Sequence, residues 1–205
     1  MATDSTFASS AYPVTIALEP TTEGRNRLTT AFRVILAIPH ALIVGASTLG
    51  SNGVLGTVAG VCAVISWFAI VFTGKEIRGL WDLRHMYLRW RLRVQAYVFL
   101  LRDEYPPFGD ADYPATLTLE WPEAERDRLS VGLRLIYAIP QVVVLAVLAF
   151  AAVVCTIIGW FAIVFTGRMP AGLGEFIRNV LRWAMRVEAY ILLMRDEYPP
   201  FSLSA

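Results

Sequence analysis

One octapeptide, Trp67-Phe-Ala-Ile-Val-Phe-Thr-Gly74, occurs again unchanged as Trp160 to Gly167, and Arg102-Asp-Glu-Tyr-Pro-Pro-Phe108 recurs as Arg195 to Phe201. Shorter matches keep the same order: Tyr12-Pro13 with Tyr113-Pro114, Arg25-Asn-Arg-Leu28 with Arg126-Asp-Arg-Leu129, and Ile38-Pro39 with Ile139-Pro140. The chain is a tandem duplication, so its fold must accommodate the same unit twice. The offset is 101 residues as far as the prolines and 93 from the tryptophans on, so the first copy carries eight extra residues. They fall in the stretch from Gly45 to Gly56, which reads as a loop from its Gly, Ser and Asn. The repeats divide the chain into an extended or disordered N-terminus (1–11), repeat 1 (12–108), a linker (109–112), repeat 2 (113–201) and a tail (202–205).

Charge is segregated along each copy. All 17 Asp and Glu lie outside two windows, Leu28 to Gly74 and Leu129 to Gly174, which hold only Arg33, Arg134 and Arg168. With 56% hydrophobic residues and a mean hydropathy of +0.53, such charge-poor runs point to bilayer segments. The net charge of +1 gives no reason to expect nucleic acid as a partner. Seventeen arginines stand against a single lysine, Lys75; arginine matches lipid phosphate well, and a GC-rich genome would produce the same bias. Cys62 and Cys155 sit inside the apolar runs, which excludes a secreted-type disulfide framework and a Cys-x-x-Cys motif. Residues 1–11 lack the basic and apolar regions of a signal peptide, so the first apolar run is expected to direct insertion.

The expected fold is mainly α and integral to the membrane. Each repeat supplies a short strand, a transmembrane or re-entrant helix hairpin and an amphipathic interfacial helix. Val14, Ile16 and Leu18 alternate with polar or small residues, as does the run from Ala115, so each copy opens with a brief strand. A lone strand is unstable, and the economical solution pairs the two across a pseudo-twofold axis. Arginines flank both ends of each apolar window, and the positive-inside rule then asks for an even number of crossings per copy. A hairpin meets that condition, giving four membrane helices. The expected setting is multi-pass in the cell inner (plasma) membrane, with strands, amphipathic helices and both termini cytoplasmic. The third helix of each copy carries an apolar stripe with Trp90 or Trp183 and a basic edge, Arg89 and Arg93 or Arg178, Arg182 and Arg186. Such helices suit the lipid interface, and they equally suit packing on the hairpin.

Few residues suggest chemistry. Asp103, Glu104 and Tyr105, with Asp196, Glu197 and Tyr198, lie in the motif that ends each repeat; Pro-Pro stops the helix, and the carboxylates are expected to pair with arginines of the neighbouring copy. Arg33 and Arg134 lie near the start of an apolar helix, where they snorkel to the interface or hold a lipid phosphate. His40 is matched by Gln141 and His85 by Arg178, so neither histidine belongs to the repeated design. No Walker, Rossmann or nucleophile-elbow pattern occurs, and no catalytic, cofactor-binding or metal-binding residues are expected.

With these motifs, the chain resembles the bacterial membrane-protein family described as domain of unknown function 4389. The resemblance rests on the Tyr-Pro strand, the Arg-Leu…Ile-Pro helix, Trp-Phe-Ala-Ile-Val-Phe-Thr-Gly, the Arg-Trp…Arg-Val-x-Ala-Tyr helix and Asp-Glu-Tyr-Pro-Pro-Phe, and covers Tyr12 to Phe201 as two copies. It implies small membrane proteins with paired helices per domain and carries no activity over. Two functions are expected from the sequence. One is a non-enzymatic scaffold or accessory subunit, partnered by another membrane complex or by itself. The other is a lipid-handling protein that uses the arginine edges, with membrane lipids as partners. A membrane enzyme ranks third, its acids being Asp103, Glu104, Asp196 and Glu197.

Overall fold

The computed structural model describes residues 12–48, 53–109, 111–123 and 125–203. The N-terminal expectation for 1–11, part of the first-copy loop, Asp110 of the linker and the last two residues lie outside the described residues. The chain runs β1 (Val14–Leu18), α1 (Arg27–Ala31), α2 (Arg33–Val44), α3 (Val54–Thr73), α4 (Arg78–Val98), β2 (Ala115–Leu119), α5 (Arg128–Gly132), α6 (Arg134–Thr166) and α7 (Ala171–Ile191).

The strands form one antiparallel pair in which Ile16 faces Leu117, residues that are equivalent in the two copies. A pseudo-twofold axis therefore passes through the centre of the sheet. Alternation sorts the side chains: Val14, Ile16, Leu18, Ala115, Leu117 and Leu119 are buried, whereas Thr15, Ala17, Thr116 and Thr118 face outward.

The apolar windows do not fold as hairpins. In the second copy α6 is one unbroken helix of 33 residues with Pro140 inside it. Pro140 forgoes the amide bond to the carbonyl four residues earlier, and the helix continues through it. In the first copy α2 and α3 lie end to end. Successive α4 residues show this: Arg84 meets Ser66 of α3, Arg91 meets Val44, Trp90 meets His40 and Arg33 meets the Tyr97 carbonyl. The buried faces also coincide, with Arg33, Ala37, His40 and Val44 matching Arg134, Ala138, Gln141 and Leu145. Ala59, Ser66 and Ile70 likewise match Ala152, Gly159 and Ile163. The α2–α3 pair is thus α6 with the nine-residue segment from Gly45 to Gly53 in place of Ala146. The ends of that segment touch: a Cβ on Gly53 would lie 2.6 Å from the Gly45 nitrogen and 2.7 Å from the Ile43 oxygen, so only glycine fits. Instead of four membrane helices, the described residues hold two helices long and apolar enough to cross a membrane, α3 and α6.

Two antiparallel rods result, α2 with α3 and α6. Their ends are tied across the axis by equivalent bonds: Trp67 Nε1 donates to the Val131 carbonyl and Trp160 Nε1 to that of Thr30, each at 3.0 Å. The Arg25 amide donates to Gly167 and the Arg126 amide to Gly74. The helices expected at the lipid interface, α4 and α7, are instead the middle of the molecule, buried along their C-terminal halves between rods and sheet. Gly74 and Gly167 cap α3 and α6 in the left-handed conformation, at φ 75° and 72°. Gly167→Ala should lower the thermal unfolding midpoint by an amount equivalent to about 1–2 kcal/mol, the penalty of a Cβ at positive φ. Gly172→Ala, in open space within α7, should leave the midpoint unchanged or raise it.

Candidate functional site

The polar atoms that could do chemistry converge at the joints between rods, α4 and α7. Each repeat ends on a carboxylate held by two arginines of its own copy, not of its neighbour as expected. Asp103 takes Arg25 at 2.7 Å and Arg33 at 2.5 Å; Asp196 takes Arg126 at 2.7 Å and Arg134 at 2.5 Å. Arg33 and Arg134 do not snorkel outward. Both are buried, and they donate to the carbonyls of Tyr97 and Arg102 or of Tyr190 and Arg195, at the C-terminal ends of α4 and α7. A helix C-terminus leaves four carbonyls without intrahelical partners and carries partial negative charge, which suits a guanidinium. The chain turns there through Leu100 and Leu193, both at φ 60°, a conformation that costs a non-glycine residue about 1–2 kcal/mol and is held by these bonds.

Burial alone would raise the Asp103 and Asp196 carboxyls, but the arginine hydrogen bonds and charges outweigh it and hold both below their ordinary 3.8. A carboxyl whose pKa is depressed in the folded state stabilises it at every pH above the unfolded value. That stability is lost as pH falls through the folded value. Stability should therefore decline below about pH 4, and the Asp103→Asn, Asp196→Asn variant should lose that acid limb in a pH series of unfolding midpoints.

Where the copies differ, a second set of charges joins them. Glu76 lies between Arg84, at 2.9 Å, and Arg126 of the other copy, at 3.6 Å, while Arg84 also donates to Ser66 Oγ at 3.0 Å. The second copy places Met169, Ile177 and Gly159 at the positions of Glu76, Arg84 and Ser66, and Met169 fills the space that a Cβ on Gly159 would take. Nearer the axis, Arg91 bonds the carbonyls of Val44 and Ser47 at 3.1 and 2.9 Å, where α2 breaks off. Its charge meets Glu188 of the other copy at 2.7 Å, and Glu188 also accepts from Tyr87 Oη. Burial pushes the Glu188 carboxyl up against the opposing pull of Arg91 and Tyr87. The second copy, whose rod is unbroken, has Ala184 in place of Arg91 and Val180 in place of Tyr87. Sequence reasoning gave these networks no role; the signal was a charge in the first copy aligned with an apolar side chain in the second, at Glu76, Arg84 and Arg91.

The remaining expected site residues scatter. Arg93 is buried and donates to the Gly109 carbonyl; Arg89 stands beside it, partly exposed, in a 350 Å³ recess with His85 and Thr116. Arg178 and Arg182 reach Glu19 at the end of β1, at 3.2 and 3.5 Å, and Arg186 lies over the Tyr12 ring. Trp90 donates to His40 Nδ1 and Trp183 to Gln141 Oε1. Glu104 and Glu197 pair with Arg102 and Arg195. Tyr105 packs on His40 and Tyr97, and Tyr198 donates to the Tyr137 carbonyl. Between α2 and α6 runs an apolar cavity of about 520 Å³, lined by Arg33, Val34, Ala37, Ala41, Ile157 and Trp160 among others. Among the described residues no group of three or more His, Cys, Asp or Glu converges.

The Asp103 and Asp196 joints recur about the axis, and the family model for the domain of unknown function DUF4389 matches the chain over residues 27–109 and again over 128–202. The chain belongs to the DUF4389 family. Two DUF4389 domains in tandem begin at Arg27 and Arg128, so the strands that pair on the axis lie outside both matches. No curated protein and no solved structure matches this DUF4389 chain.

Proposed function

We propose that this DUF4389 protein is a non-enzymatic membrane protein that serves as a scaffold or accessory subunit of a membrane complex, with its sheet, α4 and α7 on the cytoplasmic side of the inner membrane. The observation that carries this reading is the placement of exposed apolar side chains. Leu28, Val34, Leu42, Val54, Phe72, Leu129, Leu135, Val147, Phe150 and Phe165 are among those on α1–α3 and α5–α6 that remain more than 60% exposed. So large an apolar surface marks contact with lipid or another protein. The buried charges are engaged with one another and with backbone carbonyls, as expected of a rigid interaction module. Extraction from native membranes in mild detergent, followed by native mass spectrometry, should yield a discrete stoichiometric assembly. A bare monomer would overturn the scaffold reading.

The cavity between α2 and α6 favours a second reading, lipid handling. It continues into a neighbouring apolar recess of about 490 Å³ that shares Val34, Val98, Thr156 and Ile157. An acyl chain suits such a groove. Filling it with Ala37→Trp and Ala41→Phe should remove co-purifying lipid; unchanged lipid content would discard this reading.

A further inference from the structure

Resting on the membrane location proposed above, we infer that the two rods lie in the plane of one leaflet without crossing it, and that the basic pairs Arg27 with Arg168 and Arg128 with Lys75 hold anionic lipid phosphates at the two ends. Length comes first: α6 runs about 50 Å at 1.5 Å per residue, against a hydrocarbon core of about 30 Å. Its exposed apolar residues extend from Leu135 to Phe165, too far for a core that thick.

The layers of the molecule give the orientation. Arg91 meets the middle of the first rod at Val44 and Ser47; its neighbours Arg89 and Arg93 lie at the same level, beside Thr116 and Leu117 of the sheet. If the rods crossed the bilayer, the sheet and these arginines would be at its centre, which is costly for charge and for open strand edges. With the rods in plane, the sheet's threonine face points away from the membrane and the apolar faces point into it.

The axis agrees. An axis normal to the membrane holds both rod ends at one depth, so equivalent positions need equivalent charges. At one end the Arg27 guanidinium packs against Gly167, 3.2 Å from where its Cβ would be, and Arg168 follows directly. At the other, Arg128 packs against Gly74, and Lys75 follows. All four basic residues are exposed, and none has an ion pair among the described residues. Strongly apolar neighbours, Leu28, Phe72, Leu129 and Phe165, place these cations at the boundary of the apolar layer. Basic side chains at this depth attract anionic headgroups. Zero crossings also satisfies the positive-inside condition, since every flank stays on one side.

The test uses Glu23→Cys and Glu125→Cys separately, exposed sites at opposite rod ends, in a Cys62→Ala, Cys155→Ala background. A membrane-impermeant maleimide should label both in inverted native vesicles and neither in right-side-out vesicles. Labelling from opposite sides would overturn in-plane insertion while leaving a membrane scaffold intact; release of the protein by carbonate wash alone would remove the membrane reading as well. For the phosphate sites, Arg27→Gln with Arg168→Gln should weaken flotation with phosphatidylglycerol-containing phosphatidylcholine vesicles roughly tenfold or more. The Arg27→Lys, Arg168→Lys variant should retain binding. Equal flotation of the Gln variant and the unaltered chain would overturn the site.

Discussion

Replacing Arg91 with leucine should destabilise the protein by about 3–5 kcal/mol, the cost of stranding a buried partner charge. Glu188 loses its cation and the Val44 carbonyl its donor, while the Ser47 carbonyl is left with Gln95 alone. The second copy shows how to restore stability. There the rod runs unbroken through Ala146, and Ala184 occupies the position of Arg91. Substituting one alanine for residues 45–53 within Arg91→Leu, together with Glu188→Gln, should recover most of the lost unfolding free energy. Arg91→Leu within about 1 kcal/mol of the parent, the scale of an exposed ion pair, would mean that the charge does not staple the break.

The other large effect concerns Glu76. Glu76→Met alone should cost about 3–5 kcal/mol, because Arg84 remains buried without its anion. Carrying the rest of the second copy's solution, Ser66→Gly and Arg84→Ile, should return stability to the parent level or above it. Apolar replacements of buried ion pairs are often neutral or stabilising by about 1–4 kcal/mol. Arg126 keeps Asp196 throughout, so its charge is not stranded. The comparison is a cycle of denaturation midpoints across the single, double and triple variants, and simple additivity would show that the three side chains are not one unit.

The duplication, the strands and the helical stripes of α4 and α7 were legible because periodicity and exact recurrence are local properties. The pairing of the two strands followed from the instability of either alone, whereas its register, Ile16 on Leu117, came only with the structure. The hairpins misled because charge placement constrains only the parity of crossings and says nothing of where a helix breaks; under the in-plane arrangement proposed above, zero crossings has the same parity as two. The stripes on α4 and α7 were real, but a stripe does not say whether its partner is lipid or protein. Arg33 and Arg134 looked outward in sequence because an arginine in an apolar run ordinarily seeks water; the carbonyls of Tyr97 and Tyr190 that draw them inward are 64 and 56 residues away. The Glu76 and Arg91 networks were hidden by the attention given to what the copies share, whereas they consist of what the copies do not share.

The Arg91–Glu188 contact has a consequence for how the halves recognise each other. Two first halves brought together would each present Arg91 to Gln95, and two second halves would each present Glu188 to Ala184. Either like pairing buries two uncompensated charges; the unlike pairing buries none. Although near-copies by sequence, the halves have become a lock and key, and fusion in one chain delivers them in equal number. Expressed apart, each would choose the other over its own kind.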